Sequence, residues 1–140
     1  MRIITSLAKV VEKKDLADIR HFVQATGHQL GLESSVIVAL QQAVDEAVSN
    51  ILIHGYQGQA GPIELDIGHK EADLWIRLRD EAPLFDPTQV PPPDSTIPLL
   101  LRPPGGLGLP IIRQAMDELR YRPLPEGGNE LTLVKRKVIG

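Results

Sequence analysis

Glu46, Asn50 and His54 recur every fourth residue in the stretch QQAVDEAVSNILIHGY, which runs from Gln41 to Tyr56. On a helix each such step advances only about 40°, so the three side chains share one stripe. That stripe borders the apolar face rather than opposing it. A carboxylate and a carboxamide one turn apart at such a border can face a common cavity. Asn offers a neutral carbonyl oxygen to a hard cation such as Mg²⁺, and Glu can serve as a general base. A solvated helix edge also carries polar residues at this spacing. On spacing alone both readings stand.

Two further stretches hold residue types suited to a ligand. Asp80 closes an alternating run and opens the segment DEAPLFDP (80–87), with Phe85 as a loop anchor and Asp86 as a cap. A carboxylate at a strand end can accept a hydrogen bond from an exocyclic amine, as in adenine recognition, or can simply start a turn. Gly105, Gly106, Leu107 and Gly108 form GGLG immediately before a helical pattern. Backbone N–H groups presented there suit phosphate. The same glycines also suit a tight turn with close helix packing. The run lacks the Lys-Ser/Thr of a Walker A loop and the spacing of the dinucleotide fingerprint. His21, His28 and His69 are scattered and receive no role.

These residues need elements to hold them. Residues 2–10 read as a strand, and Asp15 as the N-cap of a helix carrying Leu16, Ile19, Phe22, Val23 and Leu30, with Gly31 as its stop. A second helix starts near Glu33 or Ser34, buries Ile37, Leu40, Val44, Ala47, Val48 and Ile51, and ends at Gly55. Residues 62–68 and 73–80 alternate as a hairpin, with Trp75 in the core. Residues 81–105 hold most of the prolines and read as one long loop without regular structure. A third helix follows through Leu119, with Pro110 in its first turn and Ile111, Ile112, Ala115 and Met116 on its apolar face. Two strands near 120–124 and 129–138 close the chain, and Lys135, Arg136 and Lys137 mark an exposed strand edge. No βαβ alternation appears, so the expected class is α+β. The expected architecture is a two-layer sandwich: one mixed, mostly antiparallel sheet covered on one face by three helices.

With 140 residues, the chain suits one domain spanning 1–140. Its net charge of −3 gives no basic face for nucleic acid. With no cysteine, disulfide and thiolate chemistry are excluded. Neither a signal-peptide pattern nor an apolar run of membrane-spanning length is evident, so a soluble cytoplasmic protein without membrane contact is expected.

The order of the signals is more specific than any one of them. E-x-x-x-N-x-x-x-H, then a strand ending in Asp with D-E-x-P-x-F-D, then a long loop, then G-G-L-G on a helix resembles the GHKL (histidine-kinase-like) ATPase superfamily. Within it the chain is similar to the anti-sigma-factor serine/threonine kinases. Residues 43–56, 79–87 and 105–136 carry the likeness, which covers nearly the whole chain. The resemblance implies a Bergerat-type sandwich and ATP/ADP and Mg²⁺ as cofactors. It implies Glu46 as general base towards an attacking hydroxyl, Asn50 as the Mg²⁺ ligand, and a structural rather than catalytic His54. Asp80 becomes the reader of the adenine amine, Gly105–Gly108 the phosphate cradle, and about 87–105 the ATP lid. It further implies transfer to a STAS-type anti-anti-sigma partner, a sigma factor or other regulator as second partner, and a homodimer. A nucleotide-responsive module that sequesters a regulator without phosphorylating it is the alternative. This chain departs from the family pattern in three places. Ala82 stands where the first glycine box has Gly, which matters if the backbone there needs φ > 0. Asn129 stands where relatives often carry Thr. The lid is rich in proline, with Arg102 its only basic residue.

Overall fold

The computed structural model describes residues 2–89, 96 and 108–140. Among the described residues five strands and three α-helices follow one another: β1 (Arg2–Val11), α1 (Leu16–Gln29), α2 (Ser34–Asn50), β2 (Gly61–Lys70), β3 (Asp73–Asp80), α3 (Gly108–Ala115), β4 (Glu118–Pro123) and β5 (Asn129–Lys135). The strands form one open sheet in the order β1-β2-β3-β5-β4, and every neighbouring pair is antiparallel. The α+β sandwich is as expected, but the sheet is wholly antiparallel rather than mixed.

Alternation along β3 decides what faces the helices. Leu74, Ile76, Leu78 and Asp80 are buried, while Trp75, Arg77 and Arg79 between them are half-buried. Ile63, Leu65 and Ile67 of β2 and Leu131 and Leu133 of β5 extend the inner face. Against it pack Ile19 and Val23 of α1, Ile37, Leu40, Val44, Ala47 and Val48 of α2, and Ile112 and Ala115 of α3. Each such Leu or Ile contributes about 1.5–3 kcal/mol by leaving water. Gly27 lets α1 approach α2, since a Cβ there would sit 2.7 Å from Ile37 Cγ1. Residues Ser34–Gly55 form 22 helical residues, long and apolar enough by composition to cross a membrane, contrary to the sequence expectation. Here the apolar stripe of that helix is buried in the core.

Several local expectations are corrected. Asp15 stands at the N-cap position of α1, but its side chain makes no capping bond to that helix. It ends a 3₁₀ turn (Lys13–Asp15), and its carboxylate accepts from Glu12 N–H at 2.9 Å and from Lys9 Nζ at 3.1 Å. Trp75 lies on the sheet face away from the helices, under the Arg120 guanidinium at 4.6 Å, because β3's even-numbered residues take the core. On the same outer face Arg77 pairs with Asp66 at 2.9 Å, and Glu130 receives Arg79 at 2.7 Å and Arg122 at 3.1 Å. The third helix stops at Ala115 and Leu119 belongs to β4. Lys135 is not at an edge: β5 lies between β3 and β4, and its ammonium donates to the carbonyl of Ala115, the last residue of α3, at 2.8 Å. Within the proline-rich stretch, Pro87–Gln89 form a 3₁₀ turn, which Asp86 caps through Thr88 N–H at 2.9 Å. Most of the expected lid lies outside the described residues.

Candidate active site

The end of α2 supplies the first wall. Glu46 and Asn50 are both half-buried, one turn apart, at the border of the helix's apolar stripe. Beyond Asn50 the helix widens into a π turn, Ile51–Gly55. The widening brings Gly55 against the loop after β3, where a Cβ would lie 2.8 Å from the Ala82 methyl. His54 is exposed and stacks on Phe85, with ring centroids 6.3 Å apart. The Tyr56 hydroxyl donates to Pro62 O at 2.6 Å and accepts from Glu81 N–H at 2.8 Å. It therefore ties the end of this turn to β2 and to the residue following Asp80.

The sheet supplies the second wall. Asp80 and Asn129 stand directly opposite each other on β3 and β5, on the face towards the helices. Asp80 is only 6 % exposed; its Oδ1 accepts from Ala82 N–H at 3.0 Å and from Asn129 Nδ2 at 2.9 Å. Burial raises the Asp80 carboxyl above its ordinary range, against the lowering effect of those hydrogen bonds. Glu46 is also raised, first by burial and then by the neighbouring Asp45 charge. Ala82 is buried and is not among the described residues with positive φ. The conformational demand that would have disfavoured alanine is therefore absent there, and its methyl fills the space beside Gly55.

A cavity of about 40 Å³ joins these walls, lined by Asn50, Gly55, Asp80, Phe85, Tyr121 and Asn129 over an apolar floor that includes Ile112 and Leu131. Glu46 does not line it. Gly105, Gly106 and Leu107 fall outside the described residues, and Gly108 is the first residue of α3, one turn before Ile112. A larger groove of about 810 Å³ opens where β1–β3 meet the β4–β5 turn, but it contains neither Asn50 nor Glu46. The small cavity is where Asn50 and Asp80 meet. Pockets that enclose small ligands run to about 300–1,000 Å³, so this cavity is smaller than one that encloses a whole ligand. Tyr56 falls within the stretch 43–56 that carries the family likeness, whereas Tyr121 was not foreseen. Tyr121 reaches the site only through β4–β5 register, which leaves no local signal.

The donor set suits a nucleotide. A buried carboxylate acceptor stands across the cavity from a neutral carboxamide, with aliphatic side chains between them. Residues 10–135 match the family described as the histidine kinase-like ATPase domain. The chain belongs to that family. Over 95 residues it is 33 % identical to the serine/threonine-protein kinase BtrW of Bordetella bronchiseptica, covering 67 % of this chain and 66 % of that one. Over 109 residues it is 30 % identical to the serine-protein kinase RsbW of Bacillus cereus, covering 75 % and 68 %. This family member thus spans about two thirds of the length of those relatives. Its fold is similar to the crystal structure of the RsbU and RsbW domains of Rv1364c from Mycobacterium tuberculosis. The TM-score is 0.64 at 18 % identity, over 94 % of this chain and 32 % of that one.

Proposed function

We propose that the chain is an ATP- and Mg²⁺-dependent serine/threonine kinase of the anti-sigma type, acting on a hydroxyl of a STAS-type anti-anti-sigma partner. The observation that carries this reading is the convergence of Asn50 and Asp80 on one cavity, with Glu46 one turn before Asn50. Asp80 accepts from the adenine amine, and Asn50 presents its amide oxygen to the cation. Glu46, its carboxyl raised by burial, takes the proton of the incoming hydroxyl. Bound Mg²⁺ would supply charge neutralisation on the phosphates, which with positioning is most of phosphoryl-transfer catalysis. The glycines 105–108 and the lid at about 87–105 complete the phosphate side in this reading. A cytoplasmic homodimer that also holds a sigma factor or another regulator goes with it.

A second reading, a nucleotide-responsive module that sequesters its regulator without transfer, draws on one observation: Glu46 stands outside the cavity lining. Incubation with labelled ATP, Mg²⁺ and a STAS-type protein encoded beside this chain separates the two. Phosphoserine or phosphothreonine accumulating with turnover supports the kinase. Tight nucleotide-dependent association with no label transferred would replace it with the module.

A further inference from the structure

The contacts that join the end of α2 to the loop after β3 differ in kind. Gly55 lies against the Ala82 methyl, and His54 stacks on Phe85. Such contacts hold two segments near each other without fixing how far one slides along the other. The Tyr56 hydroxyl does more: it donates to Pro62 O at 2.6 Å and accepts from Glu81 N–H at 2.8 Å. A hydrogen bond is short and directional, so it sets register as well as proximity.

That hydroxyl sits one rung beyond the end of the β2–β3 ladder. The last opposed pair is Ile63 and Asp80, so the next along the two strands is Pro62 and Glu81. Pro62 has no N–H, which leaves Glu81 N–H to Pro62 O as the one backbone bond open to this pair. The Tyr56 hydroxyl stands between those two groups and serves both. It takes the place of a rung of the sheet immediately after Asp80. The ring is seated as closely: a Cβ on Gly61 would collide with it. In the other direction, Tyr56 N–H donates to Ile51 O at 2.9 Å, and Ile51 is the first residue of the π turn that follows Asn50. Asn50, the π turn, Tyr56, Glu81 and Asp80 thus form one connected path between the two polar walls of the cavity.

We propose that Tyr56 is a positioning residue whose hydroxyl fixes the span between Asn50 and Asp80, so that the two walls bind opposite ends of one nucleotide cooperatively. The inference rests on the nucleotide reading above. Tyr56 does not line the cavity and acts only through its walls. A ligand that engages one wall does not sense the span, whereas a ligand that reaches both does. Loss of the hydroxyl therefore falls on the affinity that the phosphates add, and not on binding of the nucleoside. The coupling lost is bounded by the worth of the bond that carries it.

The test is calorimetric binding of adenosine and ADP, at one fixed Mg²⁺ concentration, to the whole chain, to Tyr56→Phe and to Gly61→Ala, with circular dichroism to establish folding. Adenosine, the weaker ligand, is measured by displacement of ADP. Tyr56→Phe should keep the adenosine affinity of wild type and lose about 3- to 10-fold of the ADP/adenosine ratio, the worth of one ordinary hydrogen bond. Gly61→Ala, which keeps the hydroxyl but displaces the ring, should lower the same ratio, and it decides the matter if Tyr56→Phe fails to fold. Equal losses for both ligands, or an unchanged ratio, overturn the positioning role while leaving the nucleotide site intact. A wild-type chain that binds the two ligands equally has no coupling to lose and overturns it too. One that binds neither overturns the functional reading, and this inference with it.

Discussion

Replacing Gly128 with alanine should loosen the fold and the site together. Gly128 has φ +96°, and a methyl there would collide with the Asp80 carbonyl oxygen and stand 3.1 Å from Glu81 Cα. The left-handed backbone costs alanine about 1–2 kcal/mol. Overpacking adds about 1–3 kcal/mol, because the obstructing atoms are strand backbone and cannot swing aside. The sum is about 2–5 kcal/mol. For 140 residues the unfolding entropy at the midpoint is about 0.3 kcal/mol/K, so the midpoint should fall by about 7–17 °C. Gly127 is the matched control: its φ is +100°, but a methyl there meets nothing within 4 Å. Gly127→Ala should lose the backbone term alone, about 3–7 °C. Thermal unfolding by circular dichroism measures the difference. Calorimetry with ADP should show weaker binding for Gly128→Ala, because the collision displaces the end of β3 that carries Asp80. Equal midpoints in the two variants would refute the close approach, and an unaltered ADP affinity in Gly128→Ala would uncouple it from the site.

Glu46→Gln should retain ADP affinity and lose at least about 100-fold in phosphoryl transfer, the usual worth of a general base. A fully active variant removes Glu46 from the mechanism. Burial places the Asp80 carboxyl above its ordinary 3.8, so it protonates, and ceases to accept from an amine, at a higher pH than a free aspartate. ADP affinity should therefore fall as pH is lowered towards that raised value, and Asp80→Asn should abolish both the dependence and most of the binding. Calorimetric titrations across acidic pH check this, and an affinity flat with pH counts against Asp80 as the acceptor. Arg120→Ala should uncover Trp75, the only tryptophan, shifting its emission to the red and costing about 0.5–1 kcal/mol of cation–π attraction. Emission identical to wild type contradicts the stacked geometry.

Periodicity alone determined that α2 would bury Ile37, Leu40, Val44, Ala47 and Val48, and that 62–68 and 73–80 would pair as a hairpin, because these patterns repeat within one element. The order of the Glu46–Asn50 stripe, the Asp80 turn and GGLG likewise sufficed to recognise the family. Which face of β3 would be covered was not legible. Trp75 and Ile76 are both apolar, and only the docking of three helices on one side sent the tryptophan to the outer face. Lys135 looked like an edge residue until strand order placed β5 between β3 and β4. At the site, chain position could name Asp80 but not what holds it. The Tyr121–Asn129–Asp80 chain joins three strands through register, a non-local property that no window of sequence contains. The same holds for Ala82: the family resemblance made it a departure from a glycine, and only its backbone conformation and its contact with Gly55 made it a fit.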